Sequence, residues 1–215
     1  IKTYDDEDLS QSYKYLGENN GFASQQAFLG YQSYLIDPVT FDDNNTQYIS
    51  SSNPNNLPVD HNFFVSNSGK KSKHTFSFAS QYGESLYLGF NLNSHQINFR
   101  RVDNLIENNY GFTSSFDYTE FENDLLTIGQ GFSFKFGGIY KFKYLRLGLS
   151  YQSPVWYQMT DELSQRIITN KINGKDTIDP LIINIYEYNM STPSRYGGGL
   201  AYVFGSKGLV SIQYD

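Results

Sequence analysis

Three observations predict an all-β fold, an antiparallel up-and-down barrel of the kind that crosses an outer membrane with its strands. Three short turns, Gly83-Glu84-Ser85, Lys141-Phe142-Lys143 and Gly205-Ser206-Lys207-Gly208, recur at nearly regular intervals with alternating segments on both sides and long polar stretches between them. Aromatic residues make up 17% of the chain, with 19 Tyr and 17 Phe in 215 residues, more than a small water-soluble core needs. Tyr joins an apolar ring to a polar tip and so suits a boundary between water and hydrocarbon. The mean hydropathy is -0.51. No run of about 20 apolar residues offers a helical span. In a barrel only every second strand residue meets lipid, so a polar average fits that fold.

The elements follow in order. Residues 1–20, with the acidic run Asp5-Asp6-Glu7-Asp8, have no strand pattern and read as a loop; their spacing matches no dedicated calcium loop. From residue 21 the run Phe22 to Leu35 reads as a strand, and the Asn-, Ser- and Pro-rich stretch 37–73 as a first long loop. His74 to Tyr82 alternates, with Phe76, Phe78 and Tyr82 against Thr75, Ser77, Ala79 and Gln81. After the turn Leu86, Leu88, Phe90 and Leu92 oppose Tyr87, Gly89, Asn91 and Asn93, and the strand continues to Arg100-Arg101, which belong at the outer rim. Residues 102–122 read as the second long loop.

Leu125 to Tyr140 sets Ile128, Phe132, Phe134 and Phe136 against Thr127, Gly129, Gly131, Ser133 and Lys135. Lys135 precedes its turn by about six residues, which at roughly 3.3 Å per residue lies well inside a bilayer. A lysine facing lipid there costs about 2–4 kcal/mol, so Lys135 is expected to face the lumen. In the return strand Leu145, Leu147, Leu149 and Tyr151 point outward and Arg146, Gly148, Ser150 and Gln152 inward. Pro154 interrupts this strand, and the single Trp156 falls at an outer aromatic girdle. Residues 160–181 form the third loop. Ile182 to Met190 alternates again, Pro193 marks a break, Tyr196 to Phe204 descends to the last turn, and Leu209 to Tyr214 rises from it. These make about seven strands, whereas bacterial single-chain barrels have an even number, eight or more. An open edge in lipid leaves backbone polar groups unpaired, so residues 21–215 are expected to be part of a larger barrel.

Several function classes are excluded. The absence of cysteine removes disulfides and thiolate metal sites, and the chain opens without a charged start and apolar segment of a signal peptide. A net charge of -6 argues against a nucleic-acid partner. His61, His74 and His95 have no zinc-site spacing, and no nucleophile elbow or phosphate loop occurs, so neither a metal, a cofactor nor an enzymatic activity is expected. The glycines Gly129, Gly131, Gly197 and Gly199 fall inside strands, where they mark curvature or a strand kink.

The stretch Ile128-Gly129-Gln130-Gly131-Phe132-Ser133-Phe134-Lys135-Phe136-Gly137-Gly138-Ile139-Tyr140, followed by Leu145 to Pro154, resembles the FadL-type long-chain fatty-acid and hydrocarbon transporters of bacterial outer membranes, in a Bacteroidetes-like version. Thr192 to Gly205 followed by Gly208 to Ile212 carries a second match, and Gln25 to Tyr31 a third. The resemblance implies a fourteen-stranded barrel with an N-terminal plug, whose end would lie in residues 1–20. It also implies a hydrophobic ligand captured near the outer loops and passed through the lumen to a lateral opening.

The expected function is therefore a bacterial outer-membrane channel for passive uptake of hydrophobic small molecules such as long-chain fatty acids. Outer-membrane lipid surrounds it, and Lys135, Arg146, Arg100 and Arg101 are candidate partners for a ligand carboxylate. Two alternatives stand beside it. One is a FadL-like scaffold subunit in a complex with other outer-membrane proteins; the other is a soluble secreted β-sandwich with aromatic carbohydrate contacts.

Overall fold

A computed structural model describes residues 12–41, 45–53, 57–111 and 114–214. Two helices, α1 (Tyr13–Asn19) and α2 (Phe22–Gln32), precede the strands β1 (Ile36–Pro38), β2 (Tyr48–Ser50), β3 (Asp60–Tyr82), β4 (Leu86–Asn108) and β5 (Phe116–Phe142). There follow β6 (Leu145–Gln152), β7 (Trp156–Lys171), β8 (Gly174–Ile178), β9 (Asn184–Ser191), β10 (Arg195–Val203) and β11 (Leu209–Tyr214). Strand predominates among the described residues, which makes the protein mostly antiparallel β despite its helices. β1 and β2 form a separate hairpin; the other nine strands form one sheet in the order β11-β10-β6-β5-β4-β3, with β7 pairing β5, β8 and β9. The chain divides into two compact units. Unit 1 comprises Ile1–Ser68, Arg100–Leu126 and Glu162–Ile185, and unit 2 comprises Gly69–Phe99, Thr127–Asp161 and Tyr186–Asp215.

Unit 1 corrects the sequence reading most. Residues 22–32, expected as a strand, are the helix α2, and part of the expected loop 1–20 is the helix α1. The Asp5–Asp8 run lies outside the described residues. Ser12 caps α1 by accepting a hydrogen bond from the Tyr15 N–H, and Gly21, at φ 89°, opens α2 in a conformation that favours glycine. α2 is buried on two sides. Ala27 packs with Leu16, Ile36 and Tyr48, while Leu29 packs with Tyr13 and Ile167. Gln25 exchanges two amide hydrogen bonds with Asn184, at 3.1 and 2.9 Å, and donates a third to the Tyr13 carbonyl.

The three long loops are also shorter than expected. Within 37–73, β1 and β2 pair, with Asp37 opposite Ile49, and β3 begins at Asp60. Within 102–122, β4 runs on to Asn108 and β5 starts at Phe116. Within 160–181, β7 continues to Lys171 and turns back into β8. Charged side chains ladder these extensions in place of apolar alternation: Arg100 grips Asp124 through two donors, Arg101 bonds Asp103, and Arg166 Nη2 donates to Glu122.

Unit 2 follows the turn pattern of the sequence. Gly83, Lys143 and Gly205 take φ of 59°, 50° and 58° at the three short connections. β6 and β7 are one strand interrupted at residues 153–155, and β9 and β10 one strand interrupted at 192–194. With α2 removed and the interrupted strands joined, the expected count of about seven strands becomes six, namely β3, β4, β5, β6 with β7, β9 with β10, and β11, plus the short β8. Among the described residues β3 and β11 each have a single sheet neighbour.

Candidate functional site

Strand register sorts the side chains of unit 2 into two chemically distinct faces. Residues directly opposite across a ladder share a face. One face collects the rows Phe136, Tyr151 and Tyr196; Leu149 and Tyr214 with Gly138 and Gly198; Tyr140, Leu147, Leu200 and Ile212; and Phe142, Leu145, Tyr202 and Val210. The other collects Lys135, Gln152 and Arg195; Gly137, Ser150 and Gly197; Ile139, Gly148, Gly199 and Gln213; and Lys141, Arg146, Ala201 and Ser211. The first face is apolar at every position that has a side chain in these rows. Its rings form a continuous stripe: Phe134 meets Phe90, Tyr151 and Trp156, and Tyr151 meets Phe136 and Tyr196, all with centroids 4.9–6.4 Å apart. Phe90, Phe136, Trp156 and Tyr196 are exposed, the last at 68%, while Phe134 and Tyr151 are half-buried.

The polar face carries a hydrogen-bonded set across β3, β4 and β5. Thr75 donates to Asn93 at 2.9 Å, Asn93 Nδ2 to Ser133 at 3.3 Å, and the Ser133 hydroxyl lies 2.9 Å from His95 Nε2. The His95 ring meets Tyr157 edge to face at 5.8 Å. Lys71 Nζ sits 5.6 Å from the centre of the Tyr157 ring, and Lys71, Lys73 and Thr75 alternate onto one face of β3. His95 and Tyr157 are 7% and 3% exposed, and among the described residues their Nδ1 and Oη atoms have no hydrogen-bond partner. Farther along, a trough of about 440 Å³ runs over the glycine-rich rows, with Lys135 and Gln213 among its lining.

The strand breaks are sealed by hydroxyl groups. At the first, the Ser153 N–H donates to the Phe134 carbonyl and the Ser153 hydroxyl accepts from the Phe134 N–H, each at 2.9 Å. At the second, the Thr192 hydroxyl accepts from the Val155 N–H at 3.0 Å and the Thr192 N–H donates to the Val155 carbonyl at 3.1 Å. Pro154 and Pro193 lack the N–H a ladder needs, and Ser and Thr supply the missing partners beside them.

Unit 1 holds a separate cavity of about 430 Å³ between α2 and β4, β5 and β7. Its walls include Ala27, Leu35, Phe63, Leu105, Phe121 and Ile167, and its polar rim Asp103, Glu107 and Asn123. The rim is fully tied. Tyr13 donates to Gln165, Gln165 to Asn123 and Asn123 to Asp103, which also holds Arg101. His61 pairs with Glu107 at 3.0 Å, and Tyr110, which donates to Glu107 and contacts Thr119, has its phenol pushed up by burial. The Arg100 guanidinium holds the Asp124 carboxyl below the usual carboxylate range.

Of the four cations singled out by sequence, Lys135 and Arg146 lie on the polar face of unit 2, and no carboxylate reaches either among the described residues. Arg100 and Arg101 belong to unit 1 and are engaged by Asp124 and Asp103. Gly129, Gly131, Gly197 and Gly199, expected to mark curvature or a strand kink, sit within β5 and β10, and the strand breaks lie beside Pro154 and Pro193. Gly129 and Gly131 make room for neighbours: a Cβ at either would lie 2.5 Å from Met159 Sδ or Tyr157 Cδ1. Arg195, Lys71, Lys73 and Tyr157 were missed. Only cross-strand register reveals that Arg195 joins the row of Lys135. Among the described residues no group of three or more His, Asp or Glu could hold a metal ion, and no helix is long and apolar enough to cross a membrane. No protein-family model matches the chain, and no curated protein matches it significantly.

Proposed function

We propose that this chain forms part of an outer-membrane β-barrel that admits hydrophobic small molecules by passive diffusion. The observation that carries the reading is the split of unit 2 into an exposed aromatic and aliphatic face and a small, polar, cationic one. In water a contiguous apolar face of this kind is an aggregation liability; against lipid it is the stable arrangement. A transmembrane strand needs about 9–11 residues. β10 has nine, and the unit 2 portions of β3, β4 and β5 are longer. The resemblance of residues 128–154 and 192–212 to FadL-type transporters supports the same class. The apolar cavity of unit 1 is of a size that accepts a small molecule.

The test uses the full-length protein expressed in a bacterial host. It is expected in the outer-membrane fraction, resistant to alkaline extraction, and to raise the entry rate of a fluorescent long-chain fatty acid above that of cells lacking it. Recovery in the soluble fraction without detergent ends the membrane reading. Membrane insertion with unchanged entry removes the uptake function alone.

A further inference from the structure

Unit 1 contains eighteen Asp and Glu against seven Lys and Arg, whereas unit 2 contains four against nine. The cavity of unit 1 carries the same imbalance on its rim. Its apolar lining includes Phe63, Leu105, Phe121 and Ile167, one side chain each from β3, β4, β5 and β7. Asp103 and Glu107 lie two residues to either side of Leu105 on β4 and so share its face, bordering the apolar lining from opposite sides. Among the described residues no Lys or Arg lines this cavity. Both carboxylates are hydrogen-bonded, but they are not equally compensated in charge. Asp103 has a permanent cation, since Arg101 Nε donates to it at 3.0 Å, and Asn123 donates to its second oxygen. Glu107 has none. Its Oε1 lies 3.0 Å from His61 Nε2, and an imidazole is charged only when protonated. Its Oε2 accepts from the Tyr110 phenol at 3.1 Å, which burial keeps neutral.

A fatty-acid carboxylate entering this cavity would meet a like charge and find no free cation in its lining. An alkylammonium meets the opposite situation. Its chain lies on the apolar lining, its head offers three donors and a positive charge, and a carboxylate with two bonds made can still accept more. The excess negative charge of unit 1 favours its approach. We propose that the unit 1 cavity binds hydrophobic molecules that end in an ammonium group, with Glu107 as the residue that receives the charge. This rests on the reading above that a hydrophobic small molecule enters the cavity, and it narrows the class of that molecule.

Calorimetric titration of the full-length protein in a neutral maltoside detergent at pH 7 tests this, with hexylamine, hexanol and hexanoate as probes. Hexylamine is charged at that pH, as a lysine side chain is. It is expected to bind roughly tenfold tighter than hexanol, with hexanoate weakest of the three. Glu107→Gln keeps an acceptor for Tyr110 and should weaken hexylamine roughly tenfold, while its unchanged affinity for hexanol shows that the cavity is intact. Glu84→Gln, at the first short turn of unit 2, should change neither. Hexanol or hexanoate binding as tightly as hexylamine overturns the proposal and leaves the hydrophobic-ligand reading in place. So does Glu107→Gln if it moves hexylamine and hexanol alike, whether not at all or equally. If none of the three binds, the proposal and the cavity's part in that reading fall together.

Discussion

In unit 1 Leu16 and Leu29 are buried to 1% and 0% exposure between helices and strands, and charged side chains meet in pairs at the surface. In unit 2 Leu149 is 64% exposed, rings lie open along one face, and among the described residues Lys135 and Arg195 make no ion pair on the other. Both units draw on the same long strands. The difference shows that strand pairing alone does not define an environment. Unit 1 has an apolar interior and an ion-paired surface, whereas unit 2 leaves rings and aliphatic side chains exposed on one face, the face that the proposed barrel would turn to lipid.

The comparison can be broken or sharpened by six substitutions. The largest effect is expected from Leu29→Ala, which empties a packed site beside Tyr13 and Ile167 and costs about 2–5 kcal/mol. Limited proteolysis should then cut unit 1 faster while the strands of unit 2 stay protected; equal loss in both units would mean they are not separately stabilised. Next comes Leu149→Arg on the aromatic face, expected to cost about 2–4 kcal/mol in lipid vesicles. Its neighbour Ser150→Arg, on the polar face, should cost far less when refolding is followed by urea titration. Equal costs at the two positions would contradict a lipid-facing side.

Ser153→Ala and Thr192→Val each remove a hydroxyl that pairs a backbone N–H at a strand break, with an expected cost of about 1–3 kcal/mol. Amide hydrogen exchange at Phe134 and Val155 should accelerate accordingly, and unchanged exchange would show that the hydroxyls are incidental. The smallest effect is at the ionic surface of unit 1. Asp124 titrates lower folded than unfolded because Arg100 bonds it, so its contribution is present above the unfolded carboxylate value near 4 and disappears as pH falls through the folded value. Asp124→Asn should abolish that acid-side loss and lower stability at pH 7 by the same small amount, because the Arg100 end of the pair is exposed and screened.

What the sequence revealed follows the same division. In β3, β4 and β5 near their turns, one face is apolar and the other polar, so Phe76, Leu88 and Phe134 announced both strand and facing. α2 was misread because Ala27 and Leu29 are buried against different clusters, which leaves no single apolar stripe of helical period. The strand extensions beyond Arg100 and Asp161 were read as loops because their pairing relies on ions and amides rather than alternation. Lys135 was found by the cost of placing it in lipid. Arg195 was not, since it follows Pro193 and its meaning depends on Gln152 and Lys135 opposite it.

The close seat that Gly131 gives to Tyr157 bears on how freely this chain can vary. With a Cβ only 2.5 Å from the ring, even alanine must displace Tyr157 and with it the edge contact to His95. A saturation library at position 131 should therefore return glycine almost alone, while one at Gly89, which has open space around it, should accept many residues. Two glycines of the same strand pattern would thus separate into one position frozen by its neighbour and another open to drift.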